Sequence, residues 1–326
     1  MQGIRFHTYG SPEVLKLQDL DMPVVGDDEV LVRVRATSVN PADWHSMRGM
    51  PYVMRAQGGL SRPKAGGLGL DLAGHVEAVG RNVTTFQVGD EVFGCQDLER
   101  AGTFAEYVTI RHDAGVLRKP DSLTFAQAAS VPVAAVTAYQ ALRHHGRLQP
   151  AHKVLVNGAA GGVGTFAVQI AKALGAEVTG VCSTRNVEMV RSIGADHVID
   201  YTKEDFTTGG KRYDLVLDNV GNHPLSACRR ALTPQGSLVL ISGEGGRWLG
   251  PLGRIMHALV LSLFVRQRLV FFMARPTKDD LEALRELLES GKVTPVIDRT
   301  YPLSELPEAI RYLETGHARG KVVITA

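Results

Sequence analysis

Cysteine is scarce in this sequence, with three in 326 residues, at positions 95, 182 and 228. They form no Cys-x-x-Cys pair, so neither a disulfide framework nor a clustered zinc lobe is indicated, and a reducing, cytoplasmic setting fits. Charge of one sign is equally short. The net charge of +2 at pH 7 gives no electrostatic ground for nucleic-acid binding, and none is expected. No apolar run reaches the roughly 20 residues of a membrane-spanning helix. Residues 1–10 lack both the apolar stretch of a secretory signal and the Arg/Ser-rich character of a transit peptide. The 11 histidines include no His-x₃-His pair beside a suitable acid, and no Tyr-x₃-Lys pair occurs. With 44% apolar residues, the chain is long enough for two packed domains.

What is present is a nucleotide-binding pattern. The apolar run Lys153-Val-Leu-Val-Asn157 meets a glycine-rich turn, Gly158-Ala-Ala-Gly161-Gly-Val-Gly164, which opens onto a helical pattern at 165–174. Glycines let a backbone approach a pyrophosphate, and the free N–H groups at the helix start attract it. Ala160, Gly161, Gly162, Val163 and Gly164 are therefore the expected cofactor-binding turn. Five further apolar runs follow at 177–182, 197–200, 213–218, 236–242 and 269–274, with helical patterns at 186–193 and 225–232. Apolar strands separated by short helices specify a doubly wound parallel sheet.

An NAD site normally offers the ribose diol a carboxylate about 20 residues beyond the glycines. Here that stretch reads Cys182-Ser-Thr-Arg-Asn186, and no acid appears until Glu188. Two hydroxyls, Ser183 and Thr184, and the planar fork of Arg185 suit a 2′-phosphate, which makes NADPH the expected cofactor. Ser183 or Thr184 could equally cap the helix starting near 186, a role compatible with phosphate binding.

The flanking segments have another texture. Val30, Val32, Val34 and Ala36 alternate with Leu31, Arg33 and Arg35, the period of a half-buried strand. Short strands and tight turns continue through 69–80, 88–91 and 103–109. Beyond residue 275, an amphipathic helix at 279–289 leads through 292–297 to a second helix at 304–314 and a last apolar run at 320–325. The nucleotide domain, 124–275, thus reads as inserted between two pieces, 1–123 and 276–326, of a β-rich domain.

Several motifs occur in a fixed order: Asn40-Pro-Ala-Asp43, Gly69-Leu-Asp-Leu-Ala-Gly74, Val88-Gly-Asp-Glu-Val-Phe93, Gly102-Thr-Phe-Ala-Glu-Tyr107, Val136-Thr-Ala-Tyr-Gln-Ala-Leu142, the glycine turn and Gly316-His-Ala-Arg-Gly-Lys-Val-Val323. Together they resemble the medium-chain dehydrogenase/reductase superfamily, in its zinc-independent quinone oxidoreductase branch. The resemblance implies an α/β fold class, a Rossmann doubly wound parallel sheet inserted into a GroES-like β-rich catalytic domain, with the active site in the cleft between the two. It also implies that the loop bearing Asn40 and Asp43 lies beside the nicotinamide ribose and that Thr137 sits near the nicotinamide, which makes these three the catalytic candidates. By the same resemblance Tyr201 stacks near the adenine end, and Asn219-Val-Gly221 and Ile241-Ser242-Gly243 line the nicotinamide pocket. Lys321 matches a lysine that lies near the cofactor, and the sixth strand pairs across a homodimer.

Zinc-dependent relatives carry a cysteine where this chain has Asn40 and a His-Glu pair where it has Leu70-Asp71. Leucine cannot ligate zinc, and His75 falls out of register on the following strand, so no catalytic zinc is expected. Oxidising an alcohol calls for a Lewis acid or a positioned base, whereas a quinone or an α,β-unsaturated carbonyl accepts hydride with only hydrogen-bond stabilisation of the oxyanion. The expected activity is NADPH-dependent reduction of such a hydrophobic acceptor. Two alternatives stay open: a zinc-free alcohol dehydrogenase or ketone reductase on the same fold, and an NADPH-binding protein without turnover that serves in trafficking, at a membrane or on RNA. The apolar stretch 255–265, flanked by Arg247, Arg254, Arg266 and Arg268, admits three readings. It is a buried or interface helix, a lid over the acceptor, or a peripheral membrane contact through 247–268.

Overall fold

The computed structural model describes residues 1–64, 66–242 and 246–326, apart from the side chain of Gln57. The chain divides into two compact units, the first comprising Met1–Val136, Arg275–Glu289 and Pro295–Ala326, the second Thr137–Ala274 and Ser290–Thr294. The division after Val136 lies later than residue 123 because the helix Phe125–Ala129 packs on the first unit's strands. A reciprocal cap starts that helix: Thr124 Oγ1 accepts from Gln127 N–H at 3.2 Å, and Gln127 Oε1 accepts from Thr124 N–H at 3.0 Å.

The first unit is built on a seven-stranded sheet whose order runs Ile297–Pro302, Lys321–Thr325, Glu29–Val39, Asp71–Val79, Glu91–Cys95, Val116–Arg118, with Tyr107–Arg111 also paired to Glu29–Val39. All neighbours are antiparallel except Ile297–Pro302 with Lys321–Thr325. Strand Glu29–Val39 is long and central, and its alternating residues Val30, Val32 and Val34 pack with Leu72, Val76, Val92 and Ile110. A second cluster joins Ile4, Phe6, Val39, Met47 and Phe104 to Ile310 and Ile324. It ties the N-terminal and C-terminal pieces into one core, each buried aliphatic or Phe side chain contributing roughly 1.5–3 kcal/mol.

In the second unit, six parallel strands are ordered His197–Asp200, Glu177–Cys182, Lys153–Asn157, Tyr213–Asp218, Leu232–Leu240, Arg268–Phe271. The chain starts in the middle, runs to one edge, then returns and runs to the other, the order of a doubly wound dinucleotide domain. All six expected strands are present. The helix after the first strand, Gly162–Ala173, is buried from Gly164 through Ala171, which is why its sequence is apolar nearly all round. The segment Ser290–Thr294 joins this unit through Gln169, whose Nε2 donates to Thr294 O at 2.9 Å while its Oε1 accepts from Thr294 N–H at 2.8 Å.

Candidate functional site

In the first unit, three residues singled out from sequence meet around a carboxylate that was not. Asn40 precedes the helix Pro41–Arg48, whose start is fixed by Asp43: its Oδ2 accepts from Asn40 N–H at 2.7 Å and its Oδ1 from Gly69 N–H at 3.1 Å. The Asn40 side chain is thereby turned inward. Its Nδ2 donates to Asp71 Oδ2 at 2.8 Å and to Ser38 O at 3.3 Å, and its Oδ1 accepts from Lys321 Nζ at 2.6 Å. Lys321 Nζ also donates to Val39 O at 3.3 Å and lies 3.4 Å from Asp71 Oδ2. Asp71 further accepts from Ser38 Oγ and, through Oδ1, from Val133 N–H at 2.8 Å. The ion pair is enclosed, with side chains 3% and 0% exposed.

Burial dominates the electrostatics here. It pushes the Asp43 carboxyl up to about 7 against the pull of its two backbone N–H donors. Burial also lowers the Lys321 ammonium from its ordinary value, opposed by Asp71 and Asp43.

Asn40, Asp43 and Lys321 are thus tied to one another or to the backbone beside them. Both Asn40 amide hydrogens and the Lys321 ammonium are directed at protein acceptors, Val39 O, Asn40 Oδ1 and Asp71 Oδ2 in the case of Lys321. Asp71's part is not readable along the chain, because its partners come from positions 38, 40, 133 and 321.

The same cluster decides the fit of a metal. The positions that hold zinc ligands in zinc-dependent relatives carry an amide, an aliphatic chain and a carboxylate already neutralised by an ammonium whose charge would repel a dication. His75 sits on its strand with Nε2 3.6 Å from Glu91. Among the described residues, no group of three or more His, Cys, Asp or Glu is placed to hold a metal ion. The residues do not fit zinc.

In the second unit, the carboxyl ends of adjacent strands present the cofactor candidates. Gly158 has φ +79°, and a methyl group on Gly164 would stand 2.0 Å from Gly158 O. The turn and the helix start can pack this closely only with glycine at both positions, which leaves the first N–H groups of Gly162–Ala173 facing outward. Beside the turn, Asn219 Nδ2 donates to Asn157 O at 3.0 Å while its Oδ1 is buried with no donor. A glycine-rich turn at a helix start and an acceptor lacking a donor fit a bound dinucleotide. Ser242 is exposed one strand further on, and Thr137, in the helix Pro132–Gln140, is buried. Gly243 lies outside the described residues.

At the end of Glu177–Cys182, Arg185 and Tyr201 are exposed and Ser183 is half-buried. Thr184 departs from expectation. Its hydroxyl donates to Asp200 Oδ2 at 2.6 Å, so in this structure its hydrogen faces a carboxylate. Asp200 also accepts from Thr202 N–H at 3.1 Å and Thr202 Oγ1 at 2.8 Å, and these hydroxyls hold it well below the usual carboxylate range. This acid, invisible near residue 185 in sequence, is delivered by the neighbouring strand His197–Asp200.

The alcohol dehydrogenase GroES-like domain family matches residues 26–121, and the zinc-binding dehydrogenase family matches 193–324. The mouse mitochondrial NAD(P)H oxidoreductase RTN4IP1 is 37% identical, with 97% of this chain and 87% of that protein covered. The chain belongs to the medium-chain dehydrogenase/reductase superfamily, in its quinone oxidoreductase-like branch. The tomato 2-methylene-furan-3-one reductase is 34% identical over 99% of this chain and 79% of its own length. The structure of the quinone oxidoreductase from Coxiella burnetii superposes with a TM-score of 0.86 at 31% identity, covering 100% of this chain and 99% of that one. This member of the superfamily is an oxidoreductase of a nicotinamide cofactor. The name of the second matching family mentions zinc, which the Asn40–Asp71–Lys321 cluster does not accommodate.

Proposed function

We propose that this chain reduces a quinone or an α,β-unsaturated carbonyl with NADPH, without a metal. The observation carrying this reading is the buried cluster of Asn40, Asp71 and Lys321, which stands where zinc-dependent relatives polarise an alcohol or ketone. Without a Lewis acid, an acceptor whose own conjugation stabilises the product anion is the chemistry within reach. The bound nicotinamide supplies the hydride. The chain's work is to hold the pyrophosphate on Ala160, Gly161, Gly162, Val163 and Gly164, to offer Asn219 Oδ1 and Ser242 to the nicotinamide half, and to keep Thr137 nearby. Arg185, with Ser183, selects the 2′-phosphate, and Tyr201 stacks near the adenine end. Asn40, Asp43 and Lys321 fix the loop that enters Pro41–Arg48. The quinone and furanone reductase names of two relatives support the acceptor class.

The test is loss of NADPH absorbance with chelator-treated protein on quinones, enones and saturated ketones. Turnover on the first two classes alone is the expected result. Arg185→Ala should raise KM for NADPH about 10- to 100-fold, the worth of a charge-assisted contact, and leave NADH unchanged. Reduction of saturated ketones, or tight NADPH binding without turnover on any acceptor, would overturn the proposal.

A further inference from the structure

The helix Leu252–Ser262 takes up most of the apolar stretch that precedes the sixth strand. Its inner face lies in the core, where Ala258 is buried and Leu261, with Val265 just beyond, packs against the cluster containing Leu240 and Leu269. One residue departs from this pattern. Arg254 is the third residue of the helix, at the positive end of its dipole, where a cation is disfavoured. Its side chain is only 13% exposed, and a charge so enclosed needs partners. It has three, donating to Asp218 Oδ2 at 2.7 Å and to the carbonyls of Gly221 at 2.9 Å and His223 at 2.5 Å. Its Nε is buried with no acceptor.

The two carbonyls belong to one loop, residues 219–223, which leaves the strand Tyr213–Asp218. Asp218 Oδ1 accepts from Val220 N–H at 3.3 Å and from Gly221 N–H at 2.9 Å. Asn157, at the end of the neighbouring strand, donates through Nδ2 to Asp218 Oδ1 at 2.9 Å and to Asn222 Oδ1 at 3.0 Å, and its carbonyl accepts from Asn219 Nδ2 at 3.0 Å. Each residue from Asn219 to His223 is thus held by Asn157, Asp218 or Arg254. The first two anchors are strand ends, and the third is supplied by the helix. The loop lies against the glycine turn, since a Cβ on Gly158 would stand 2.8 Å from Val220 Cγ2. It carries Asn219, whose Oδ1 lacks a donor.

A buried ion pair is weak ground for stability, because well-packed apolar residues of similar volume often serve as well or better. A planar fork that reaches a carboxylate and two backbone carbonyls instead fixes geometry. We infer that Arg254 is a positioning residue for the cofactor, setting Asn219 beside the glycine turn so that its Oδ1 accepts a hydrogen bond from the nicotinamide half. The inference rests on the proposed seat of the dinucleotide at that turn and at Asn219. The nicotinamide half is common to NADPH and NADH, so the contribution of Arg254 is the same for both, unlike that of Arg185.

The experiment is calorimetric titration of the full chain with NADPH and with NADH, well below the melting temperature of each variant, together with amide hydrogen exchange over residues 219–223. Arg254→Lys keeps a cation for Asp218 but has no fork to reach both carbonyls. Its Tm should stay near that of wild type while the loop exchanges faster. Both dinucleotides should bind about two- to ten-fold more weakly, the worth of one neutral hydrogen bond, with the preference between them unchanged. Arg254→Met combined with Asp218→Asn, which buries no charge, should show the same weakening. Wild-type affinity in both variants overturns the inference, because the pair would then serve stability alone. Weakening confined to NADPH overturns it too, since Arg254 would then act at the 2′-phosphate. A wild-type chain that binds neither dinucleotide overturns it together with the proposed cofactor seat, whereas tight wild-type binding that both variants retain overturns it alone.

Discussion

Replacing Lys321 with methionine tests whether the buried cluster is electrostatic in the way its geometry implies. The substitution removes an ammonium 3.4 Å from Asp71 and leaves a carboxylate with no exposure to water. Breaking a buried ion pair from one side costs about 3–5 kcal/mol. Asp71 keeps three other donors, Ser38 Oγ, Asn40 Nδ2 and Val133 N–H, so the lower end, about 3 kcal/mol, is expected. For a unit of this size, that corresponds to a fall in Tm of roughly 6–12 °C. Adding Asp71→Asn to Lys321→Met removes the stranded charge while keeping an acceptor for Asn40, and should restore at least half of the loss, a coupling that independent sites would not show. The assay is thermal unfolding of wild type, the two single variants and the double variant at pH 7.5. A Lys321→Met protein within about 2 °C of wild type, or a double variant no more stable than Lys321→Met, would refute the argument.

Three further outcomes follow from named contacts. Asp43 titrates at about 7 in the folded protein because of burial, against about 3.9 when unfolded. It thus contributes stability that is fully present below the unfolded value and is lost as pH rises through 7; Tm of wild type should fall relative to Asp43→Asn between pH 5 and pH 8, and parallel curves would contradict this. Gly164→Ala places a methyl group 2.0 Å from Gly158 O; the turn must open, and calorimetry should show NADPH affinity reduced more than ten-fold with about 1–3 kcal/mol lost in stability. Thr184→Ala should change KM for NADPH less than three-fold, because that hydroxyl's hydrogen already belongs to Asp200, whereas Arg185→Ala should change it by far more.

The sequence by itself determined three strands of the second unit to the residue. Strands Glu177–Cys182, His197–Asp200 and Tyr213–Asp218 were legible because a parallel strand covered on both faces must be a continuous apolar run. The glycine turn was legible because positive φ and a 2.0 Å approach tolerate no side chain. Asn40, Asp43 and Lys321 were legible as candidate site residues, but not as neighbours or in their contacts. Tertiary structure alone decided those. Asp71 gathers partners from positions 38, 40, 133 and 321, and Asp200 takes the Thr184 hydroxyl from the next strand. Charge and hydrogen bonding act over a few ångströms of space, and separation along the chain carries no trace of them. The apolar segment 255–265 shows the same limit. Its composition fixed that it would be a greasy helix, while the Arg254–Asp218 pair decided which face enters the core and which is left to solvent.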